Sequence, residues 1–340
     1  MTSCEFIDKN KSDLLTFSTL SKSLGARADY VQGGGGNTSV KLNDTLMAIK
    51  ASGYCLGDIT PEAGYAVLDH KEITEFYKNT DPNTLTDPEK EGAARTKAAI
   101  RRFEGLPELR PSVEAGFHSI LKKYVAHTHS VYANLACCAN EAEQIIREAL
   151  AGTDISYGFV PYIDPGAKLT FAILSKMERV RREEGRLPGV LFLQNHGVIV
   201  HDDCEKNCEA LHERVNALLA KRFELTAEDY PKDDRFLTEV LAGGRFNDDY
   251  LLNRPLFPDQ MVYLIGSLKE TVQIDYETGA VVSSQPEKTA RVTMEVLTAV
   301  AFIVTTIEKH GFTVSTMGEA ARRFIANWES EKYRKSIAGK

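Results

Sequence analysis

Two histidines spaced one residue apart, His127 and His129, are the strongest chemical signal in the sequence. Residues 124–129 are predicted to form a short strand, and in a strand residues i and i+2 point to the same face. Two imidazoles on one face can bind a single metal ion. Because an H-x-H pair also occurs by chance in surface strands, the pair needs a third ligand before it indicates a site.

His196 is the candidate third ligand. It stands in a predicted tight bend between the two apolar runs of residues 190–200, which indicate adjacent strands. Three neutral imidazoles with an open fourth position are typical of a catalytic zinc site. The alternative is a turn histidine that is hydrogen-bonded to the backbone, and we give that interpretation to His118, His201 and His212.

Glu114 is the candidate acid–base group. It is the only acid in residues 111–114, at the start of a helix that we predict to continue to residue 123. A glutamate in a first helical turn can simply complement the helix dipole. Beside a Lewis-acidic metal, however, a carboxylate can transfer the proton of a carbon atom next to a carbonyl.

Four consecutive glycines, residues 33–36, lead through Asn37 into a predicted hairpin. The run is not a P-loop, because no Gly-Lys-Ser/Thr follows, and it lacks the third glycine of a dinucleotide fingerprint. A Rossmann-type oxidoreductase is therefore disfavoured. A flexible linker is one interpretation, but a glycine run directly before a hairpin better fits close approach of the backbone to an anion.

The composition indicates a soluble globular protein. The 340 residues include 43% hydrophobic and 26% charged residues, and the net charge is −7, which argues against a general nucleic-acid surface but is compatible with a local anion pocket. The sequence has no run of about 18 apolar residues and no basic, apolar leader, so we expect a cytoplasmic protein without a membrane partner. The six cysteines are too sparse for a disulfide framework and are expected to be reduced.

Periodicity and turn residues divide the chain into an N-terminal part, residues 1–235, and a separate C-terminal α+β extension, residues 236–340. In the first part we predict a helix over residues 12–24, a loop over 80–92 followed by a helix over 92–103, and a long helix from 202 to about 224. In the extension we predict strands over 261–268 and 271–275, a third near 280, and helices over 287–309 and 316–334.

Five short motifs follow one another along the chain. They are Gly36-Asn37-Thr38-Ser39, Ala51-Ser52-Gly53, Pro111-Ser112-Val113-Glu114, His127-Thr128-His129 and Asn195-His196-Gly197. In this order they resemble the class II aldolase/adducin family over roughly residues 10–225, and the combination is specific although each motif alone is weak. Two motifs, residues 111–114 and 160–162, are most similar to the aldolase domain of rhamnulose-phosphate aldolase/dehydrogenase fusions.

The resemblance implies an α/β fold, a three-layer α/β/α sandwich with a mainly antiparallel central sheet, to which the small α+β extension is added. It also implies zinc or another divalent metal on His127, His129 and His196, with Glu114 as the acid–base group. It implies a homotetramer in which Tyr162 of a neighbouring subunit handles the proton on the aldehyde-side oxygen. The positions that match the family's phosphate-binding residues are Asn37, Ser52, Gly53 and Ser112.

The family likeness predicts a zinc-dependent lyase that reversibly cleaves a ketose phosphate to dihydroxyacetone phosphate and a short aldehyde. A pentulose-phosphate 4-epimerase and a non-catalytic adducin-like assembly module are the alternatives. Adducin-type relatives lack the metal histidines, which argues against the module. Val113 stands where phosphate-specific members often have a second serine, so the sequence leaves the phosphate requirement open.

Overall fold

The computed structural model describes residues 5–327, and its centre is a seven-stranded sheet with the strand order β3-β2-β1-β4-β7-β6-β5. Neighbouring strands are antiparallel except for the parallel pair β5 and β6. The strands of this sheet are β1 (Asn37–Lys41), β2 (Leu46–Lys50), β3 (Tyr65–Asp69), β4 (Tyr124–Thr128), β5 (Tyr157–Val160), β6 (Val190–Leu193) and β7 (Gly197–Asp202). A separate hairpin consists of β8 (Val272–Ile274) and β9 (Val281–Ser283).

Helices cover both faces of the sheet. Those before the extension are α1 (Glu5–Lys9), α2 (Lys11–Gly25), α3 (His70–Asn79), α4 (Pro88–Ala98), α5 (Ala115–Ile120), α6 (Val131–Cys137), α7 (Ala142–Ala149), α8 (Ala167–Glu184) and α9 (Glu205–Arg222). Those after residue 235 are α10 (Arg235–Ala242), α11 (Asp248–Asn253), α12 (Gly266–Glu270), α13 (Glu287–Lys309) and α14 (Glu319–Asn327).

The alternation of side chains along β4 separates two apolar layers. Val125 packs in a cluster with Phe117 of α5 and Ile173 of α8, whereas its neighbour Ala126 belongs to the larger cluster that includes Leu20 of α2. Because successive strand residues point to opposite faces, each layer of helices buries one face of the sheet. This arrangement confirms the predicted three-layer fold with a mainly antiparallel sheet.

Strand β4 lies in the middle of the sheet and carries the predicted metal ligands to its centre. Asn37 of β1 is directly opposite His127, and Ile199 of β7 is opposite it on the other side. Residues that are directly opposite share a face, so the asparagine and the histidine both point towards the layer of α5. The register therefore brings the glycine-run motif and the H-x-H motif together.

Two helix predictions in the first part need correction. The helix predicted over residues 112–123 is only Ala115–Ile120. Residues 111 and 112 are instead held in an extended segment beside the end of β2, by an antiparallel bridge between Pro111 and Ala51 and by a hydrogen bond from Ser112 N–H to the carbonyl of Lys50 at 3.2 Å. The helix predicted over 92–103 begins and ends earlier, at Pro88–Ala98. It begins there because the Asp87 side chain accepts a hydrogen bond from the third residue of the helix, at 3.1 Å, which is an N-cap.

The extension contains the strands predicted over 271–275 and near 280 and the helix predicted over 287–309, but the strand predicted over residues 261–268 is wrong. That run is a π-helical turn, Gln260–Ile265, followed by α12. Its consecutive residues from Met261 to Leu264 are all buried, and an apolar run buried on every side does not distinguish a strand from a helix. Of the predicted helix over 316–334, residues 328–334 lie outside the described part of the chain.

Helix α13 packs against α6 and the π-helical turn and belongs to the same apolar cluster as the sheet. By length and composition it could cross a membrane, but 67% of its most apolar stretch is buried inside the protein, as in the core helix of a soluble protein. The boundary at residue 235 stays a prediction. The described cysteines, Cys55, Cys137, Cys138, Cys204 and Cys208, are free, and Cys4 lies outside the described residues.

We expect the protein to lose stability in mild acid because of two buried histidines, His201 and His212. Burial lowers the pKa of each to about 3, below the value of about 6.5 in an unfolded chain. Between these values the unfolded chain binds protons that the folded chain does not. The stability present above pH 6.5 is therefore lost as the pH falls, by about 1.4 kcal/mol per pH unit for each histidine.

Urea unfolding of wild type and of His201→Gln between pH 4.5 and 7.5 measures this effect. The variant cannot bind the extra proton, so its free energy of unfolding should fall less steeply, by about 1.4 kcal/mol per pH unit. Equal slopes for the two proteins would show that His201 takes up its proton in the folded state.

Candidate metal centre

Three imidazoles meet at the end of β4. His127 is in the strand, His129 follows it directly, and His196 is in the turn between β6 and β7. The Nε2 atom of His127 lies 3.2 Å from that of His129 and 3.3 Å from that of His196. All three rings are buried, and their ligand atoms lie within 4.8 Å of one another.

The turn that carries His196 depends on its neighbours. Gly197 has φ of 157°, and a Cβ there would lie 2.3 Å from the carbonyl oxygen of Thr128, so only glycine allows β7 to approach β4 so closely. Asn195 has φ of 51° and its side-chain amide donates to the carbonyls of Leu256 and Ser315, each at 2.9 Å. Asn195 and Gly197 are therefore required by the turn that presents the imidazole of His196.

In His127 and His129, the hydrogen bond at Nδ1 determines that the other ring nitrogen presents its lone pair to the centre. Nδ1 of His127 lies 3.1 Å from the carbonyl of Val198, and Nδ1 of His129 lies 2.5 Å from Oδ2 of Asp259. Because a carbonyl or carboxylate only accepts, both Nδ1 atoms donate, and in the neutral rings both Nε2 atoms carry a lone pair. Two lone pairs that face each other at 3.2 Å are stabilised by a cation between them.

The distances and pKa values fit a divalent cation. Burial lowers the pKa of His127 to about 4 and that of His196 to about 3, so both are neutral ligands at pH 7. Zn–N bonds of 2.0–2.1 Å in a tetrahedral site imply N···N separations of about 3.3–3.4 Å. Two of the three Nε2···Nε2 separations, 3.2 and 3.3 Å, are close to that value.

Glu114, the residue before α5, points its carboxylate at the same centre. Oε1 lies 3.3 Å from Nε2 of His196, and Oε2 lies 3.6 Å from Nε2 of His127. Oε2 accepts a hydrogen bond from the amide of Asn37 at 2.5 Å, whereas Oε1 has no hydrogen-bond partner among the described residues. Burial by itself raises the pKa of Glu114, but the three imidazoles and the Asn37 amide outweigh it and leave the pKa below its ordinary value.

His118 orients the asparagine that holds Glu114. Its Nε2–H donates to Oδ1 of Asn37, and its Nδ1 accepts from the hydroxyl of Ser39 at 2.7 Å. The prediction of a backbone-bonded turn histidine is therefore wrong for His118. It is also wrong for His212, which is in α9 and bonds to the hydroxyl of Thr128 at 2.7 Å. Both corrections reflect buried polar groups that find partners on neighbouring elements.

The predicted phosphate-binding residues lie beside the centre. Asn37, Ser52, Gly53 and Ser112 line one pocket together with Glu114, His129 and His196. The segments that carry the two serines are joined by backbone hydrogen bonds, such as that from Ser52 N to Arg110 O at 2.8 Å. Tyr162 is not among the lining residues. Its hydroxyl donates to Asp164 at 3.2 Å, and its contribution from a neighbouring subunit stays a prediction.

Besides the role of His118, sequence reasoning missed two residues of the site. Lys50 lines the pocket, and its ammonium group donates to the carbonyls of Gly34 and Tyr54 at 3.1 and 2.6 Å. A lysine that ends an apolar strand just before Ala-Ser-Gly was a signal that could have identified it. Asp259 bonds to His129 from the extension, and the only signal was an acid in the apolar run of residues 255–265.

The comparisons with known proteins identify a family and a fold. Residues 18–219 match the model of the Class II Aldolase and Adducin N-terminal domain. The N-terminal class II aldolase domain of a conserved protein from Thermoplasma acidophilum is 22% identical, with a TM-score of 0.50 over 62% of this chain and 92% of its own. No curated protein sequence is significantly similar to the chain.

Two further solved structures are more distant. An L-fuculose 1-phosphate aldolase is 21% identical, with a TM-score of 0.40 over 62% of this chain and 82% of its own. A sugar-phosphate aldolase from Thermotoga maritima is 12% identical, with a TM-score of 0.44 over 63% of this chain and 94% of its own. The matched model covers more than half of the chain, including β1 to β7. The chain therefore belongs to the class II aldolase and adducin family.

Proposed function

We propose that the protein is a metal-dependent aldehyde-lyase that reversibly cleaves a ketose phosphate to dihydroxyacetone phosphate and a short aldehyde. The observation that carries this proposal is the convergence of three buried Nε2 atoms and one buried carboxylate beside a polar pocket. His127, His129 and His196 would hold zinc or another divalent ion. When bound, the ion supplies Lewis acidity that stabilises negative charge on the oxygens of a hydroxy ketone.

Glu114 moves the proton in this mechanism. In the direction of synthesis its ionised Oε1 removes a proton from the carbon next to the carbonyl, and the electron pair of that C–H bond then forms the new bond to the aldehyde carbon. The C=O π bond of the aldehyde breaks in the same step, and Tyr162 of a neighbouring subunit would donate the proton that turns its oxygen into a hydroxyl. In cleavage that tyrosine would take the hydroxyl proton as the bond between the two carbons breaks. In cleavage the protonated carboxyl returns the proton to the same carbon. Oε1 is the oxygen free for this transfer, because Oε2 is held by Asn37 at 2.5 Å.

The polar pocket would bind the phosphate group. The hydroxyls of Ser52 and Ser112 and the backbone at Gly36 and Gly53 supply neutral groups. Asn37 lines the same pocket, but its amide already donates to Glu114 and, at 3.2 Å, to the hydroxyl of Ser112, so it would act by orienting that serine. Lys50 adds a positive charge, and it is buried against the glycine run rather than extended into solvent. A cation and several donors around one pocket favour an anionic group over a neutral hydroxyl.

The pocket predicts a selective loss of binding when its hydroxyls are removed. Ser52→Ala and Ser112→Ala should each weaken binding of the phosphorylated ketose by about 1 to 3 kcal/mol, roughly 5- to 150-fold in KM, without loss of bound metal. Ser156→Ala removes a buried serine that is not among the residues lining this pocket, and it is the matched control. A free ketose cleaved as efficiently as its phosphate, with both variants unchanged in KM, would mean that the pocket binds another group.

An assay of phosphorylated and free ketoses, with detection of the released aldehyde, tests the proposed reaction. Release of an aldehyde only in the presence of a divalent ion is the expected result. A pentulose phosphate that returns as its 4-epimer without release of an aldehyde would instead identify an epimerase. The same proposal includes a homotetramer with active sites between subunits, and gel filtration with light scattering tests this oligomeric state. It also includes a cytoplasmic location.

A further inference from the structure

Asp259 reaches the metal centre from the C-terminal extension, forty residues beyond the part of the chain that matches the family model. Its carboxylate is fully buried, and its Oδ2 lies 2.5 Å from Nδ1 of His129. The preceding residue, Pro258, lines the same pocket as Glu114. The extension therefore supplies part of the wall of the site and one charged group within it.

The segment around Asp259 is firmly held. The side chain of Gln260 donates to the carbonyl of Leu251 at 3.0 Å and accepts from the backbone N–H of Leu256 at 2.9 Å. The carbonyl of Leu256 in turn accepts from the amide of Asn195 at 2.9 Å, the neighbour of His196. A hydrogen-bonded segment of this kind fixes the position of a carboxylate better than a solvent-exposed loop does.

The glycine run leaves space for this carboxylate. A Cβ at Gly35 would lie 2.2 Å from Oδ2 of Asp259 and 3.0 Å from Nδ1 of His129. Any side chain at this position would therefore force the carboxylate away from the ring. The absence of a side chain at Gly35 thus permits the contact between Asp259 and His129. It also allows the backbone of the glycine run to approach the pocket closely.

We propose that Asp259 is a positioning residue that orients His129 for metal binding and increases the electron density on its Nε2. The inference rests on the proposed metal site. A carboxylate that accepts the Nδ1–H of a metal-binding histidine fixes the ring and makes the opposite nitrogen a better ligand. Nδ1 of His127 donates instead to a backbone carbonyl, and Nδ1 of His196 has no hydrogen-bond partner among the described residues. Of the three rings, His129 is therefore the one with a carboxylate at Nδ1. On this view the extension completes the metal centre.

The alternative is that the pair only anchors the extension to the sheet. The two roles differ in what a substitution changes. An anchor affects the stability of the metal-free protein and leaves the metal affinity unaltered, whereas a positioning residue changes the affinity itself. Metal affinity, measured apart from activity, therefore separates them.

The test uses full-length protein and competition for Zn²⁺ with a chromophoric chelator. Asp259→Asn keeps the shape of the side chain and removes its charge, and Gly35→Ala keeps the charge and displaces the carboxylate. Each should weaken metal affinity by about 10- to 100-fold. Asp248→Asn is the control, because Asp248 also accepts a side-chain hydrogen bond within the extension, from Tyr276 at 2.5 Å, and should leave the affinity unchanged.

The outcomes distinguish this inference from the proposed function. If wild type binds no metal, the proposed metal-dependent function is wrong. If wild type binds metal and both variants bind it equally well, the function stands and the role of Asp259 is refuted. A lower melting temperature of metal-free Asp259→Asn with unchanged affinity would assign Asp259 to anchoring. If Asp259→Asn does not fold, the affinity of Gly35→Ala decides the question.

Discussion

Replacing His127, His129 or His196 with alanine is expected to remove the metal and the lyase activity together. Two imidazoles remain in each variant, and a site of two ligands holds a divalent ion far more weakly than a site of three. Lewis-acid stabilisation is worth several kcal/mol in the transition state, so turnover should fall by roughly a thousand-fold or more. Wild type purified without chelator should contain close to one ion per chain.

Elemental analysis and aldehyde release measured on the same samples check this expectation. His70→Ala is the matched control, because His70 is also largely buried and bonds to the carbonyl of Asn43 at 3.0 Å, outside the centre. It should keep its metal. Wild-type protein that contains no metal and gains no activity when divalent ions are added would exclude the lyase and favour the assembly module.

Local signals were sufficient to predict several strands of the sheet and the three metal-binding candidates, whereas the layered architecture was implied by the resemblance to the family. The H-x-H spacing requires only that residues 124–129 form a strand, and β4 meets that requirement. The Asn43 turn between β1 and β2 follows from a side chain that accepts from the backbone N–H groups of Thr45 and Leu46 at 2.9 and 2.8 Å. Such patterns are set by neighbouring residues and can be read without knowledge of the fold.

The groups that the sequence did not reveal depend on long-range packing. Asp259 contacts a histidine 130 positions away, and His118 holds Asn37 across a separation of 81 positions. Nothing near either residue in the sequence indicates its partner. The strand predicted over residues 261–268 was wrong for a different reason. Burial on all sides removes the periodicity that distinguishes a strand from a helix.

Glu114→Gln is the second variant with a large expected effect, and it separates binding from chemistry. Glutamine has nearly the same shape and its side-chain oxygen can still accept from the amide of Asn37, which now lies 2.5 Å from Oε2. The fold and the three imidazoles should therefore be preserved. The amide cannot accept and return a proton, so turnover should fall by roughly 100-fold or more.

The measurement that assigns this loss is turnover together with metal content. A fall in kcat with one ion still bound per chain identifies Glu114 as the acid–base group. Asn37→Ser serves as a comparison, because it removes the hydrogen bond to Oε2 but leaves the carboxylate, and it should therefore reduce turnover less than Glu114→Gln does. If Glu114→Gln turns over as fast as wild type, the carboxylate only complements the helix that begins beside it, and another group must transfer the proton.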